Sequence, residues 1–229
     1  DIGGTKTHLA VVEGCGTQVR ITREARFASR DYATFEELLS DFVSRTGTPD
    51  DAAFGIAGPV QGRAVQTTNL PWRIDADALQ HQFGFTHCTL LNDLEAIAYG
   101  LPALGEKDLV VLQSGVPNAC GNAAVIAAGT GLGEAGLYWD GRCHQPFATE
   151  GGHASFSPGN ELDMALLRHL QRQYRHVSWE RVVSGMGLLS MHEFLSLHHN
   201  VAAPQWLAEE MRRGDAAVAI ANAALSGRD

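Results

Sequence analysis

Three absences in the sequence argue against whole classes of function before any motif is considered. The four cysteines form no C-x-x-C pair, which argues against a zinc knuckle or a disulfide framework and favours reduced thiols in the cytoplasm; they are Cys15, Cys88, Cys120 and Cys143. No apolar run approaches the roughly 18 residues that a membrane-spanning helix needs. Basic residues are few, 17 Lys and Arg against 26 Asp and Glu, and they form no run, which argues against nucleic acid as a partner.

What is present is an ordinary globular composition, with 229 residues of which 45% are hydrophobic, enough to bury a sizeable core. Short apolar runs alternate with segments of helical periodicity, which predicts an α/β protein. The predicted strands cover 8–12, 52–57, 63–68 (as a hairpin partner of 52–57), 88–91 and 108–112. The predicted helices cover 34–43, 76–84, 93–100, 160–175, 186–198, 204–213 and 215–225.

The stretch 124–158 organises the chain. An apolar strand over 123–128 leads into Gly129, Thr130 and Gly131, and a second strand over 134–139 ends in a turn at Asp140. Glycines at such a bend let backbone N–H groups approach a phosphate closely, because no Cβ holds the ligand away. The pattern therefore predicts a phosphate-binding turn.

A carboxylate and an imidazole follow this turn. Glu150 and His153 flank two glycines, and such a pair can accept and donate hydrogen bonds to vicinal hydroxyls. A phosphate-binding turn followed by hydroxyl-binding residues indicates phosphoryl transfer to a sugar. The adjacent His198 and His199 are interpreted as surface residues, since neighbouring helical positions do not share a metal.

The first residues form a second glycine turn, in which Asp1 precedes Gly3, Gly4 and Thr5. Its N–H groups and hydroxyl could meet phosphate oxygens, with the Asp1 carboxylate near a bound Mg²⁺. An ordinary hairpin turn explains the same residues, and from this segment alone that explanation is favoured.

Two polar positions after predicted strands are ambiguous. Asn69 and Trp72 suit a sugar, although packing of Trp72 in the core is the plainer account. Asn92 and Asp93 end the strand over 88–91, where Asp93 is either a functional carboxylate or the N-cap of the next helix. Glu180, after Ser178, also suits the first turn of a helix.

Six motifs, in order, carry a resemblance that extends over essentially the whole chain: DIGGTKT, NLPW, LLNDLEAIAYG, AAGTGLG, EGGHASFSP and ERVVSGMGL. Together they resemble the bacterial glucokinase family of the hexokinase/actin-like ATPase superfamily. The resemblance implies that Asp93 is the base facing the sugar 6-hydroxyl. It implies that Asn92, Glu150, His153 and Glu180 bind sugar hydroxyls, and that the two glycine turns bind the phosphates of ATP.

The resemblance also implies a ribonuclease H-like/actin-like ATPase fold, with two lobes around a cleft whose closure would exclude water. We expect a small lobe over 1–108 and a large lobe over 109–229. Relatives of this type continue with an adenosine-binding segment and a final helix, so we expect the chain to be truncated at its C-terminus, and inactive or poorly folded if produced alone.

Other functions stay open at this stage. The activity could be that of a kinase for another hexose or an N-acetylhexosamine, because pocket shape decides sugar identity. The donor could be polyphosphate or ADP in place of ATP. A sugar-sensing protein without catalysis is the alternative from a different class, and the intact Asp93 and glycine turns weigh against it. Oligomeric state is open, with a homodimer as the common default.

Overall fold

The computed structural model describes residues 1–15, 18–67, 69–117 and 119–227, without the side chains of Cys15 and Gln18. The chain forms two compact units. The first comprises 1–123 and 136–148, and the second comprises 124–135 and 149–229. The lobe boundary expected after residue 108 stays a prediction.

One sheet of the first unit combines an antiparallel and a parallel strand pair. β1 (Lys6–Cys15) pairs with β2 (Gln18–Ala28) in an antiparallel hairpin, and β3 (Asp51–Ile56) pairs with β6 (His87–Asn92) in parallel. Ile2 connects the two pairs: it forms an antiparallel bridge with Thr7 of β1, and beside β3 its N–H donates to Gly55 O at 2.8 Å and its carbonyl accepts from Ala57 N–H at 3.3 Å. The glycine turn after Ile2 is thereby attached to the sheet.

Three helices of this unit begin at side-chain caps. α1 (Phe35–Thr46) starts at Thr34, whose Oγ1 accepts from Glu37 N–H, and the Glu37 carboxylate in turn accepts from Ala33 N–H. α2 (Ala76–Phe83) is capped by Asp75 and ends at Gly84, which has the left-handed conformation. α3 (Asp93–Gly100) follows β6 directly. The predicted helices over these segments are confirmed.

The hairpin predicted between 52–57 and 63–68 is wrong. β4 (Ala64–Gln66) pairs with β5 (Arg73–Asp75), whereas β3 takes β6 as its parallel neighbour. Thr68, the last residue of the predicted strand, lies outside the described residues. Proximity along the chain favours a hairpin, but β3 buries Phe54 and Ile56 on one face, and the crossover through α2 brings β6 alongside it as a parallel neighbour.

The strand predicted over 108–112 is also wrong. The segment has no strand structure, and its four apolar side chains Leu109, Val110, Val111 and Leu112 are exposed. Branched apolar residues favour extended backbone, but a strand forms only where a neighbour accepts its backbone hydrogen bonds. Among the described residues this segment has no such neighbour.

This difference predicts a contrast between two leucines. Leu79 on α2 is completely buried and Leu112 is 94% exposed. Leu79→Ala is expected to lower the free energy of unfolding by about 2–5 kcal/mol, and Leu112→Ala to change it by less than about 0.5 kcal/mol. Urea denaturation of both variants measures the contrast. A cost for Leu112→Ala close to that of Leu79→Ala would show that 108–112 packs as the sequence predicts.

The strands around the central glycine turn agree with the sequence. β7 (Ala123–Ala128), β8 (Leu132–Trp139) and β9 (His144–Thr149) form a three-stranded sheet in that order. The predicted turn at Asp140 joins β8 to β9, with Gly141 at positive φ. Hydrogen bonds from Cys143 N–H, the Gln145 amide and Arg142 N–H lower the pKa of Asp140 to about 2. The carboxylate that caps this turn is therefore ionised at neutral pH.

The second unit contains four of the helices. They are α4 (Glu161–Leu170), α5 (Gly185–His199), α6 (Gln205–Arg213) and α7 (Ala216–Ser226). α4 ends five residues before the predicted end at Arg175. Leu162, Leu166 and Leu170 recur every four residues, a spacing that predicts one buried face; Leu166 and Leu170 are buried, but Leu162 is 43% exposed. His198 and His199 are exposed as predicted. None of the helices in the described ranges has the length and apolar character to cross a membrane.

Candidate active site

The end of β6 places two polar side chains in half-buried positions. Asn92 caps α3, because its Oδ1 accepts hydrogen bonds from Leu94 N–H at 3.0 Å and Glu95 N–H at 3.4 Å. Its amide group donates to Gly58 O at 3.3 Å, which fixes the orientation of the side chain. The interpretation of Asp93 as the N-cap is therefore wrong, since Asn92 has that role.

Asp93 is the first residue of α3. Its Oδ1 accepts a hydrogen bond from Leu94 N–H at 2.9 Å, and Oδ2 has no partner among the residues that the structure describes. The side chain is half-buried, so one oxygen is held by the helix and the other stays available. A carboxylate in this arrangement can accept a proton from a bound hydroxyl.

The glycine turn at the start of the chain is held by a residue that the sequence analysis did not single out. Ser29 is completely buried, its hydroxyl donates to Gly3 O at 2.8 Å, and its N–H donates to Thr5 O at 3.1 Å. The Thr7 hydroxyl lies 3.0 Å from the Ser29 hydroxyl. A serine followed by charged residues gives no signal in the sequence; only the pairing of β1 with β2 brings Ser29 to this turn.

Asn69 and Trp72 have different surroundings. Asn69 is exposed and lies so close to Gly4 that a Cβ on Gly4 would be 2.5 Å from Asn69 Cβ. Trp72 is only 2% exposed, and its indole N–H donates to Tyr32 O at 3.3 Å. Trp72 therefore belongs to the core, and the interpretation of its ring as a sugar-binding face is wrong.

The central glycine turn lies beside the start of α5. Gly129 N–H donates to Gly131 O at 2.8 Å, which closes the turn around Thr130, and Gly185 N–H donates to Gly129 O at 2.9 Å. Gly185 is the first residue of α5. A helix N-terminus next to a glycine turn adds further N–H groups and a positive partial charge, both of which favour an anion.

Three predicted hydroxyl-binding residues come together in the second unit. His153 Nε2 lies 3.7 Å from Glu150 Oε2, and His153 Nδ1 lies 3.8 Å from Glu180 Oε1. Glu150 and Gly152 are positioned by a short 3₁₀ turn over Gly151–His153, which packs closely on β8: a Cβ on Gly152 would collide with Leu132 O. The arrangement presents carboxylate acceptors on both sides of an imidazole.

Glu180 lies in the first turn of a second short 3₁₀ helix, Trp179–Arg181, as an acidic residue there was predicted to do. Its side chain also makes contacts that this prediction does not include. Its Oε2 accepts a hydrogen bond from Leu132 N–H at 3.1 Å, directly after the glycine turn. Ser178 makes no capping hydrogen bond through its side chain. The geometry therefore brings Glu180 to Gly131 as well as to His153, a proximity that 48 intervening residues conceal in the sequence.

Asp1 has an exposed side chain at the first glycine turn. No group of three or more His, Cys, Asp or Glu side chains within the described ranges could hold a metal ion. A divalent cation at this turn would therefore need most of its oxygen ligands from a substrate and water, as Mg²⁺ bound to nucleotides does.

Comparison with known proteins identifies a family. A family model described as Glucokinase matches residues 1–229. The chain is 36% identical to a glucokinase of Nostoc punctiforme, covering all of this chain and 72% of that protein, and 38% identical to a glucokinase of Nostoc sp., covering 85% of this chain and 59% of that protein. The chain thus spans 72% of the length of the first relative and 59% of the length of the second.

Solved structures agree with the sequence comparison. The crystal structure of a glucokinase from an Antarctic psychrotroph matches with a TM-score of 0.80 at 27% identity, covering 96% of this chain and 72% of that one. A glucokinase from Balamuthia mandrillaris in complex with glucose matches with a TM-score of 0.62 at 25% identity, covering 94% and 65%. The mixed α/β architecture is that of the actin-like ATPase fold, as the motifs predict. With motifs, family model and fold in agreement, the chain belongs to the glucokinase family.

Proposed function

We propose that the protein containing this chain is a glucokinase, which transfers the γ-phosphoryl group of ATP to the 6-hydroxyl of glucose and forms glucose 6-phosphate. The observation that carries the proposal is that Asn92 and Asp93, although adjacent, have different roles. Asn92 caps α3, which leaves an oxygen of Asp93 available for a substrate hydroxyl in a chain of the glucokinase family. A sensor that only binds sugar has no use for that carboxylate.

The proposed reaction needs little from the protein besides positioning and charge stabilisation. The oxygen of the sugar 6-hydroxyl forms a bond to the γ-phosphorus, while the bond between that phosphorus and the bridging oxygen breaks and ADP leaves. Asp93 Oδ2 accepts the hydroxyl proton late in this step. A carboxylate in hydrogen-bond reach of the acceptor contributes about 10²–10⁴ in rate.

In the second unit, Glu150, His153 and Glu180 are proposed to bind hydroxyls of the sugar. The two carboxylates accept hydrogen bonds, and the imidazole can accept one and donate one. His153 is within 4 Å of both carboxylates, so a hydroxyl bound there would meet more than one of these partners. Asn69 and Asn92, in the first unit, are proposed as further amide contacts to the sugar.

The two glycine turns are proposed to bind the phosphates of ATP. Gly3, Gly4 and Thr5 form one turn and Gly129, Thr130 and Gly131 the other. The N–H groups of Gly3 and Gly129 donate to Lys6 O and Gly131 O, so the remaining N–H groups of each turn are proposed to meet phosphate, and α5 begins beside the second turn. The exposed Asp1 carboxylate suits Mg²⁺, directly or through water. Such an ion, when bound with ATP, neutralises charge on the transferred group.

Three features of the proposal go beyond the chemistry of the site: a cytoplasmic location, Mg²⁺ as the metal and a homodimer as the assembly. The location is supported by Cys88 and Cys143, whose thiols form no disulfide bond among the described residues. Size-exclusion chromatography with light scattering measures the assembly, and removal of Mg²⁺ with EDTA during turnover measures the metal requirement.

The function is tested by calorimetric titration of the full-length protein with glucose, mannose and N-acetylglucosamine, followed by a coupled assay with ATP, ADP or polyphosphate. We expect glucose to bind and to be phosphorylated by ATP. Binding of glucose without turnover on any donor would replace the kinase by the sugar sensor. Preference for N-acetylglucosamine would instead assign the activity to an N-acetylhexosamine kinase.

A further inference from the structure

Both oxygens of the Glu180 carboxylate have a neighbour in the second unit. Oε2 accepts a hydrogen bond from Leu132 N–H at 3.1 Å, and Oε1 lies 3.8 Å from His153 Nδ1. The side chain is only 18% exposed, whereas His153 and Glu150 are more than 60% exposed. Among Glu150, His153 and Glu180, Glu180 is therefore the most restrained, and the restraint comes from the residue that follows the glycine turn.

Gly131 explains how the carboxylate can reach this position. A Cβ on Gly131 would collide with Glu180 Oε2. Gly131 is not among the glycines with positive φ in the described chain, so backbone conformation is not what requires glycine here. The absence of a side chain at position 131 makes room for the carboxylate, which then accepts the hydrogen bond from Leu132 N–H.

We infer that Gly131 and the Leu132 N–H are positioning groups for the sugar, which act by orienting Glu180. The glycine turn that binds phosphate would then also set the affinity for glucose before any nucleotide is bound. The inference rests on the proposed function, which makes Glu180 a sugar ligand, and it deepens that function by linking the two substrates through one side chain. A hydrogen bond from Leu132 N–H to a charged carboxylate is strong enough to hold this orientation.

Gly131→Ala tests the inference by filling the space that Glu180 Oε2 occupies. Calorimetric titration of the full-length variant with glucose, without nucleotide, is expected to show affinity lowered by about tenfold, the order expected when a charged hydrogen-bonding group is displaced. Gly129→Ala is the matched control. It changes the same turn, but a Cβ at position 129 meets no atom within 4 Å, so glucose affinity should stay within about twofold of wild type, whatever happens to turnover.

A double-variant cycle shows whether Glu180 transmits the effect. Aspartate is one methylene shorter than glutamate, so Glu180→Asp withdraws the carboxylate from position 131. If the collision is the cause, Gly131→Ala in the Glu180→Asp background lowers glucose affinity by less than about twofold beyond Glu180→Asp alone. An equal loss in both backgrounds, or an equal loss for Gly129→Ala, overturns the inference.

Hydrogen exchange, which needs no sugar, distinguishes loss of the Glu180 orientation from a folding defect. Hydrogen exchange of the Leu132 amide should be faster in Glu180→Asp than in wild type, because its acceptor is withdrawn, while the amides of β7 keep their exchange rates. Unchanged exchange at Leu132 also overturns the inference. If the wild-type protein binds no hexose, the proposed function itself is wrong. If Gly131→Ala phosphorylates glucose and binds it with wild-type affinity, only the positioning role of Gly131 is wrong.

Discussion

Replacing Asp93 with asparagine is expected to lower kcat for glucose phosphorylation by about 10²–10⁴-fold, the contribution of a positioned general base. Asparagine keeps the size of the side chain and an oxygen that can accept from Leu94 N–H, as Asp93 Oδ1 does. It cannot accept the proton of the 6-hydroxyl. Glucose affinity should therefore change by no more than a few-fold, and calorimetry together with the coupled assay separates the two effects.

Glu95→Gln is the matched control for this variant. Glu95 lies in the same first turn of α3 and carries the same charge, but its side chain makes no hydrogen bond among the described residues. Turnover within about twofold of wild type is expected. If Asp93→Asn kept most of the activity, or if Glu95→Gln lost as much, proton transfer to Asp93 would be refuted as the source of the rate.

Replacing Trp72 with alanine is expected to lower the free energy of unfolding by about 3–5 kcal/mol, as deletion of a buried aromatic side chain does. Trp72 is among the largest fully buried side chains, and its ring lies 6.0 Å from that of Phe35. The loss is a large part of the roughly 5–15 kcal/mol that stabilises a typical domain. Urea denaturation followed by circular dichroism measures it.

Trp72→Phe separates the core role of this residue from a sugar-binding role. Phenylalanine keeps most of the buried apolar surface and loses the hydrogen bond to Tyr32 O, at a cost of about 1 kcal/mol. The variant should fold and bind glucose with wild-type affinity. A clear loss of glucose affinity in a folded Trp72→Phe protein would restore the sugar-face interpretation that burial of the ring contradicts.

The local structure was predictable where the responsible interactions are close in the chain. Thr34, Asp75 and Asn160 cap helices that begin where the sequence predicts them, because capping joins a side chain to N–H groups two or three residues ahead. The turn at Asp140 was predictable for the same reason. The order of the six motifs likewise needed no coordinates to indicate the family.

Predictions failed where a distant partner decides the outcome. The run at 108–112 has the composition of a strand but no neighbouring strand within the described ranges. β3 pairs with β6 rather than with the nearer β4, and Leu162 follows helical periodicity yet faces outward. Pairing and burial depend on which elements meet, and periodicity does not contain that information.

The same distinction between local and distant interactions applies to the candidate site. The sequence alone predicted the candidate groups Asp93, Glu150 and His153, because they lie in short motifs whose spacing is local. Only the tertiary structure decided that Asn92 rather than Asp93 caps α3, that Ser29 holds the first glycine turn, and that Glu180 reaches Leu132 across 48 residues. Hydrogen bonds between distant residues exist only once folding has brought their backbones together, so no residue pattern reports them in advance.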